Sequence, residues 1–241
     1  MEEARAVYVV IPTYNERENI GMLLNKILSL EGLALRVLVV DDGSPDGTAG
    51  VVDEISRRDG RVMLLNRGRK MGLGSAYYDG FRHVLEHGAE VVVSMDADGS
   101  HPPEMVPALV KEVFEGADVV VASRYLPGGR WSAGMWRMLV SRGANLLARL
   151  CTGLDISDMT SGFRAYSRRA VETLVRKEFE RGYVFQVELL YRLKKGGFRH
   201  AETPFVFVER VAGRSKLGKA EILRFLKWCL KTLFRRALGM E

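Results

Sequence analysis

Apolar residues along the chain follow two alternating patterns. Short uninterrupted runs come first: AVYVVIP (6–12), LRVLVVDD (35–42), RVMLLN (61–66), EVVVSMD (90–96) and DVVVAS (118–123). Between them, apolar positions recur at helical spacing over 16–30, 45–58, 74–88 and 103–116. Continuous apolar strands are expected where helices cover both faces of a sheet. The alternation predicts right-handed βαβ units, hence an α/β fold with a mostly parallel central sheet flanked by helices on both faces. The second half is less regular. It offers a Gly-rich loop, YLPGGRWSAG (125–134), helices near 134–151 and 183–195, and a strand-like AETPFVFVER (201–210). Without an internal repeat or a low-complexity linker, 1–241 reads as one domain.

The last helical pattern differs from the others. Ile222, Phe225, Leu226, Cys229, Leu230, Leu233 and Phe234 fall on one side of a helix expected over 219–238, with Arg224, Lys227, Lys231 and Arg235 on the other. The net charge is +6. From Gly213 to Glu241 there are eight Lys or Arg and two Asp or Glu, so this segment carries all of the excess. A basic tail predicts an anionic partner, a membrane surface, nucleic acid or phosphate, and an amphipathic helix of this kind suits a membrane interface. Packing on the domain with its charges outward is the competing expectation. No apolar run approaches the roughly 18 residues of a membrane span. The acidic start runs straight into a strand, so no secretory signal is expected. The only cysteines, Cys151 and Cys229, have no metal-ligand spacing and predict a reducing compartment.

Chemistry collects where the strands end, the usual ligand edge of an open α/β sheet. The first run ends at Pro12 with Glu16 close behind, the second in Asp41 and Asp42, the fourth in Asp96 and Asp98, and the fifth in Arg124. In extended chain, residues i and i+2 point the same way. Asp96 and Asp98 would therefore repel unless a cation lies between them, and Ser100 continues the series. Hard divalent ions, Mg²⁺ or Mn²⁺, take such oxygens and commonly share a diphosphate. The rival expectation is that both aspartates merely cap the helix entered at PPEM. RGRKMGLGSAYYDG lacks the Lys-Ser/Thr ending of a phosphate-binding loop. His83 and His101 carry no metal spacing and receive no ligand role.

In this order, VVIPTYNERENI, VVDDGSPDGT, RKMGLGSAY, MDADGSHPP, SRY, SRGAN, TSGFRAY, GYVFQVE and ERVAGRSKLG resemble the polyprenyl-phosphate (dolichyl-phosphate) mannosyltransferases. These are inverting family-two glycosyltransferases with the GT-A fold, and the likeness to their type without transmembrane helices runs from about residue 7 to 236. The pattern departs from the family at Gly99 and Ser100. The resemblance implies that Pro12, Tyr14, Glu16, Val40 and Asp42 line the nucleoside end of GDP-mannose. Asp96, Ala97 and Asp98 would lie against the sugar diphosphate, with Asp96, Asp98 and Ser100 around a Mg²⁺ or Mn²⁺ ion. Arg124 would face the reacting phosphates, and Arg210 and Lys216 would close over the diphosphate. Arg137 and Ser141, at i and i+4 on one helix face, would join Arg124 on the phosphate of a polyprenyl or dolichyl acceptor.

The expected activity is mannose transfer from GDP-mannose to that lipid phosphate. The expected place is the cytoplasmic face of a membrane, reached peripherally through the last helix. Small membrane subunits are a further partner the resemblance allows, and no nucleic-acid partner is expected. Three rivals stand beside this reading: the same fold using UDP-glucose, a nucleotidyltransferase, and a non-catalytic sugar-nucleotide binder. A nucleotidyltransferase would want a Gly-rich basic signature after the first strand, and IPTYNERENI does not supply it. The Asp96/Asp98 pair with Arg124 argues against a mere binder.

Overall fold

A computed structural model describes residues 5–132, 134–180, 182–208 and 218–239, apart from the side chains of Arg137 and Lys219. The five apolar runs form β1 (Ala6–Thr13), β2 (Ala34–Asp41), β3 (Val62–Asn66), β4 (Val91–Ser94) and β5 (Val119–Ser123). The helical patterns between them form α1 (Arg17–Leu28), α2 (Thr48–Arg58), α3 (Leu73–Glu86) and α4 (Val106–Phe114), the last entered through a short 3-10 turn, Pro103–Met105. Further along lie β6 (Arg130–Trp131), α5 (Met135–Thr152), β7 (Arg164–Ser167), α6 (Arg168–Leu174), α7 (Val184–Lys195), β8 (His200–Pro204), β9 (Val206–Phe207) and α8 (Lys219–Ala237).

Successive side chains of a strand point to opposite faces, and β1 divides accordingly. Val7, Val9 and Ile11 enter one core with α1 and α4. Tyr8 and Val10 enter the other with α3, α6 and α7. Both faces are covered, as the unbroken apolar runs require. One glycine sets the fit of α3. A Cβ on Gly80 would stand 2.7 Å from Val10 Cγ1 and 3.0 Å from Val40 Cγ2, so the helix reaches the sheet only where that position is bare.

The seven-stranded sheet runs β3-β2-β1-β4-β7-β5-β8. It is mostly parallel, with one exception the apolar pattern does not reveal: β7 runs antiparallel to both neighbours, β4 and β5. Arg164 at its start pairs with Ser94 near the end of β4 and with Val121 in β5. The chain entering β7 therefore lies at the same sheet edge as the chain leaving β4 and β5.

Beside that edge, α5 and α8 pack against each other. Glu221 accepts the Tyr183 N–H at 3.1 Å, and Arg236 donates to the carbonyls of Leu150 and Cys151. Cys229 meets Cys151 across the same seam, and burial and that neighbouring thiol push the Cys229 thiol up to about 12. Both cysteines are free. The expected tail helix is thus present, but its apolar side is divided. Phe225, Trp228, Cys229 and Thr232 turn inward, while Leu226, Leu230, Leu233 and Phe234 are exposed. Among the described residues, no helix is long and apolar enough to cross a membrane.

Candidate active site

The strand ends are shaped by their turns. After β1, Asn15 takes a left-handed conformation, φ 59°, which asparagine tolerates better than most residues. Its N–H donates to Ser44 Oγ at 3.0 Å, and the Glu16 N–H donates to Thr48 Oγ1 at 3.0 Å. The turns after β1 and β2 are thereby tied together. Tyr14 offers its ring to Lys70, whose Nζ stands 4.0 Å from the centroid.

The adjacent aspartates after β2 divide their work. Asp41 takes the local turn role, accepting from Ser44 N, Ser44 Oγ and Thr13 Oγ1. Asp42 holds the neighbouring loop. One of its oxygens accepts from the Arg67 guanidinium, and the other accepts the N–H groups of Met71 and Gly72 at 3.0 and 2.9 Å. The Asp42 carboxylate, expected at the nucleoside, thus stands within a protein network that also includes Asp79 through Arg67. Pro12 is partly exposed, whereas Val40 beside it is fully buried, paired with Pro12 on one side and Leu65 on the other.

After β4, Asp98 and Ser100 are buried, and Asp96 is partly exposed. Asp98 Oδ1 accepts from Ser100 N and Ser100 Oγ at 3.1 and 2.6 Å. Gly99 between them has φ 78°, a conformation that glycine adopts far more readily than residues with a Cβ. The 3-10 turn at Pro103 has Pro102 at its N-cap, with no side-chain cap there. His101 was given no role by its spacing, yet it belongs here. Its Nδ1 accepts the Asp96 N–H at 3.0 Å, and its ring stacks on Phe163. Burial lowers its pKa, outweighing the pull of Asp96 and Asp98, so the ring is neutral near pH 7.

Beyond β5, Arg124 lies against Asp158, which is fully buried. Arg124 donates its backbone N–H and Nε–H to one Asp158 oxygen, at 3.1 and 2.6 Å, and its Nη2–H to the other at 2.7 Å. Its guanidinium also packs over Trp131, 4.6 Å from the ring centroid. Thr160 links Arg124 to α5 through Ser141 and Asn145. Ser141 also accepts from the Tyr125 hydroxyl at 2.9 Å. Arg137 lies on α5, but its side chain is outside the described residues, as are Arg210 and Lys216 entirely.

One cavity of about 640 Å³ joins these features. Its polar floor includes Asp96, Ser100, Arg124, Ser141 and Gln186. Its apolar walls come from Trp136, Val140 and Leu147 of α5 and from Ile222, Phe225 and Leu226 of α8. The structure thus brings together Asp96, Ser100, Arg124 and Ser141, while Pro12, Tyr14, Glu16 and Asp42 stand along the edge toward β2. Among the described residues, no three His, Cys, Asp or Glu side chains gather to hold a metal. The Asp96/Asp98 pair suits a hard divalent ion that completes its shell with substrate oxygens and water.

Arg124, the Asp96/Asp98 turn and an apolar channel thus share one edge of a mostly parallel α/β sheet. The sequence profile described as glycosyl transferase family 2 matches residues 8–175, and the chain belongs to that family. It is 41% identical over 239 residues to the polyprenol monophosphomannose synthase of Mycolicibacterium smegmatis, covering 96% of this chain and 90% of the relative. It is 42% identical over 216 residues to the undecaprenyl-phosphate mannosyltransferase of Micrococcus luteus, covering 88% and 87%. Among solved structures, it resembles the glucosyl-3-phosphoglycerate synthase of Mycobacterium tuberculosis in complex with Mn²⁺, UDP and glucosyl-3-phosphoglycerate. There the TM-score is 0.67 at 24% identity, over 96% of this chain and 80% of that one, which establishes the shared fold. The same synthase with Mg²⁺ and UDP gives 0.66 at 24% identity, over 96% and 79%.

Proposed function

We propose that this protein transfers mannose from GDP-mannose to a polyprenyl or dolichyl phosphate, inverting the anomeric carbon. The observation that carries the reading is the cavity in which Asp96, Arg124 and Ser141 meet at the foot of an apolar channel between α5 and α8. A phosphate on a long hydrocarbon chain matches that combination of charge and grease. The two mannosyltransferases at 41% and 42% identity support both lipid phosphate and mannose.

In this reading Pro12, Tyr14, Glu16, Val40 and Asp42 seat the nucleoside, and Asp96, Ala97 and Asp98 border the diphosphate. Asp96, Asp98 and Ser100 would hold Mg²⁺ or Mn²⁺, which when bound stabilises the diphosphate leaving group. Arg210 and Lys216 would add positive charge over the same group. Arg124, Ser141 and Arg137 hold the acceptor phosphate. A phosphate monoester has a second pKa of about 6 and is mostly dianionic at neutral pH. Its oxygen attacks the anomeric carbon without a general base. The bond from that carbon to the GDP oxygen breaks, and GDP leaves with the electron pair. The protein's work is to bring two anions together, which the fixed charge of Arg124 does at low reorganisation cost.

The exposed leucine ridge of α8, with Lys227, Lys231 and Arg235 beside it, would rest on the cytoplasmic face of a membrane and deliver the lipid to the channel. Purified full-length protein tests the reading with lipid phosphate and Mn²⁺ or Mg²⁺, comparing GDP-mannose with UDP-glucose. Mass spectrometry should find the lipid phosphate heavier by one hexose, with GDP-mannose preferred. Transfer from UDP-glucose alone, or no lipid product with either donor, refutes it.

A further inference from the structure

Gln186 lies in the first turn of α7, in a segment whose other residues pack into the core. It is 6% exposed, and its side chain lines the cavity beside Asp96, Ser100 and Arg124. Its backbone is fully engaged. The N–H donates to the Tyr183 carbonyl, and the carbonyl accepts from Arg164 Nη1 at 2.7 Å. Its side-chain amide has no hydrogen-bond partner among the described residues. The amide opens on the cavity, where a ligand hydroxyl can reach it.

Gly162 lets that amide approach the carboxylate turn. A Cβ there would stand 2.8 Å from Gln186 Nε2 and 3.7 Å from both Asp96 Oδ1 and His101 Cε1, so amide, carboxylate and the neutral imidazole border one small space beside the bare glycine. Arg164 holds that space rigid from behind. Fully buried, it donates Nη2 to the Met159 carbonyl at 2.8 Å as well as Nη1 to Gln186, clamping the chain entering β7 to the start of α7. The space lies between the carboxylates after β4 and Arg124 after β5. Whatever passes from a diphosphate on one side to a phosphate on the other must cross it.

We infer that Gln186 is a specificity-determining residue that reads hydroxyl groups of the transferred sugar, together with Asp96. An ionised carboxylate only accepts hydrogen bonds, whereas an amide presents both an acceptor oxygen and two N–H donors. The pair can therefore distinguish the orientation of neighbouring hydroxyls on a hexose ring, which a positive charge cannot. The inference rests on the glycosyl-transfer reading of the site and adds which residue recognises the sugar.

The test uses full-length protein with Gln186→Ala and, to preserve buried volume, Gln186→Met. GDP affinity is measured by calorimetry, because GDP lacks the sugar. Steady-state kinetics follow for GDP-mannose, its C2 epimer GDP-glucose, and a set of monodeoxy-mannose donors. GDP affinity should stay within about threefold, and the lipid-phosphate KM likewise. kcat/KM for GDP-mannose should fall about 10- to 100-fold, as expected for one or two lost polar contacts. The loss should vanish for the deoxy donor lacking the hydroxyl that Gln186 reads. Equal losses for every donor, a weakened GDP complex, or a raised lipid-phosphate KM with unchanged donor selectivity would each overturn the assignment. If the unmodified protein uses a different sugar nucleotide, the proposed donor falls. The same substitutions with that donor and its deoxy analogues then decide the role of Gln186 separately.

Discussion

Replacing Asp158 by asparagine should loosen Arg124 more than any change on the surface of the site. Asp158 is fully buried, and its oxygens accept three N–H donors from Arg124, whose side chain is 9% exposed. Asparagine keeps the shape but has one acceptor oxygen, and its NH₂ must face a guanidinium N–H. One charge-assisted bond is lost, worth about 1.5–3 kcal/mol, and an unfavourable N–H pair replaces it. Leaving a buried charge wholly unpaired costs about 3–5 kcal/mol, so the asparagine variant should lose about 3. For a chain of this size each kcal/mol lowers Tm by about 2–4 °C, which gives a fall of about 6–12 °C by calorimetry or circular dichroism. With its guanidinium released, Arg124 should also grip the acceptor less well, raising the lipid-phosphate KM more than it weakens GDP binding. A variant that melts within a degree of the unmodified protein and keeps its lipid KM would refute the claim that Asp158 positions Arg124.

Four further outcomes are expected. On the proposed reading, Asp98→Ala should abolish transfer and remove the metal dependence of donor binding, because it takes away an anionic oxygen that would hold the metal. Undiminished turnover in chelator would contradict this. Leu230→Glu with Phe234→Glu alters only exposed positions of α8, so flotation with anionic liposomes should drop while Tm and GDP binding hold. Unchanged flotation would end the membrane role of that ridge. Gly80→Ala should destabilise by about 1–3 kcal/mol through the close approach of α3 to Val10 and Val40, readable as a lower midpoint in urea. Asp118 feels a burial penalty that is outweighed by Arg169, the Arg199 N–H and Ser167, so its pKa lies below the usual 3.8. A carboxyl with a depressed folded pKa contributes stability that is complete above the unfolded value and is lost as pH falls through the folded one. Asp118→Asn should therefore flatten the stability curve below pH 4 relative to the unmodified protein, and parallel acid limbs would count against it.

The first five strands and the helices between them were legible because both faces of the sheet are covered, which writes each strand as an unbroken valine-rich run. β7 was not. It is four residues long, begins with a fully buried arginine, and takes its direction from partners 70 and 43 residues before it, as Ser94↔Arg164 and Val121↔Arg164 register in space rather than in sequence. The Asp96/Asp98 pair and Arg124 were visible as charges ending apolar runs. Asp158 and His101 were hidden because their roles depend on Arg124, 34 residues away, and on the curl of a single turn. The helical period of α8 was plain, yet a period does not say which part of a wide apolar face is covered. Packing settled it, with Phe225 and Cys229 inward and Leu230 and Phe234 outward.

The reversed strand β7 also acts as a spacer. Adjacent strands stand about 4.8 Å apart, so one strand inserted between β4 and β5 separates their ends by about 10 Å. A sheet cannot widen by fractions of a strand. The gap between the carboxylates and Arg124 is therefore quantised, and side chains at the entrance to β7 are left as the means of fine adjustment. Variation in what is transferred should then be sought in the loop before Arg164 and the first turn of α7, while the strands that set the gap stay as they are.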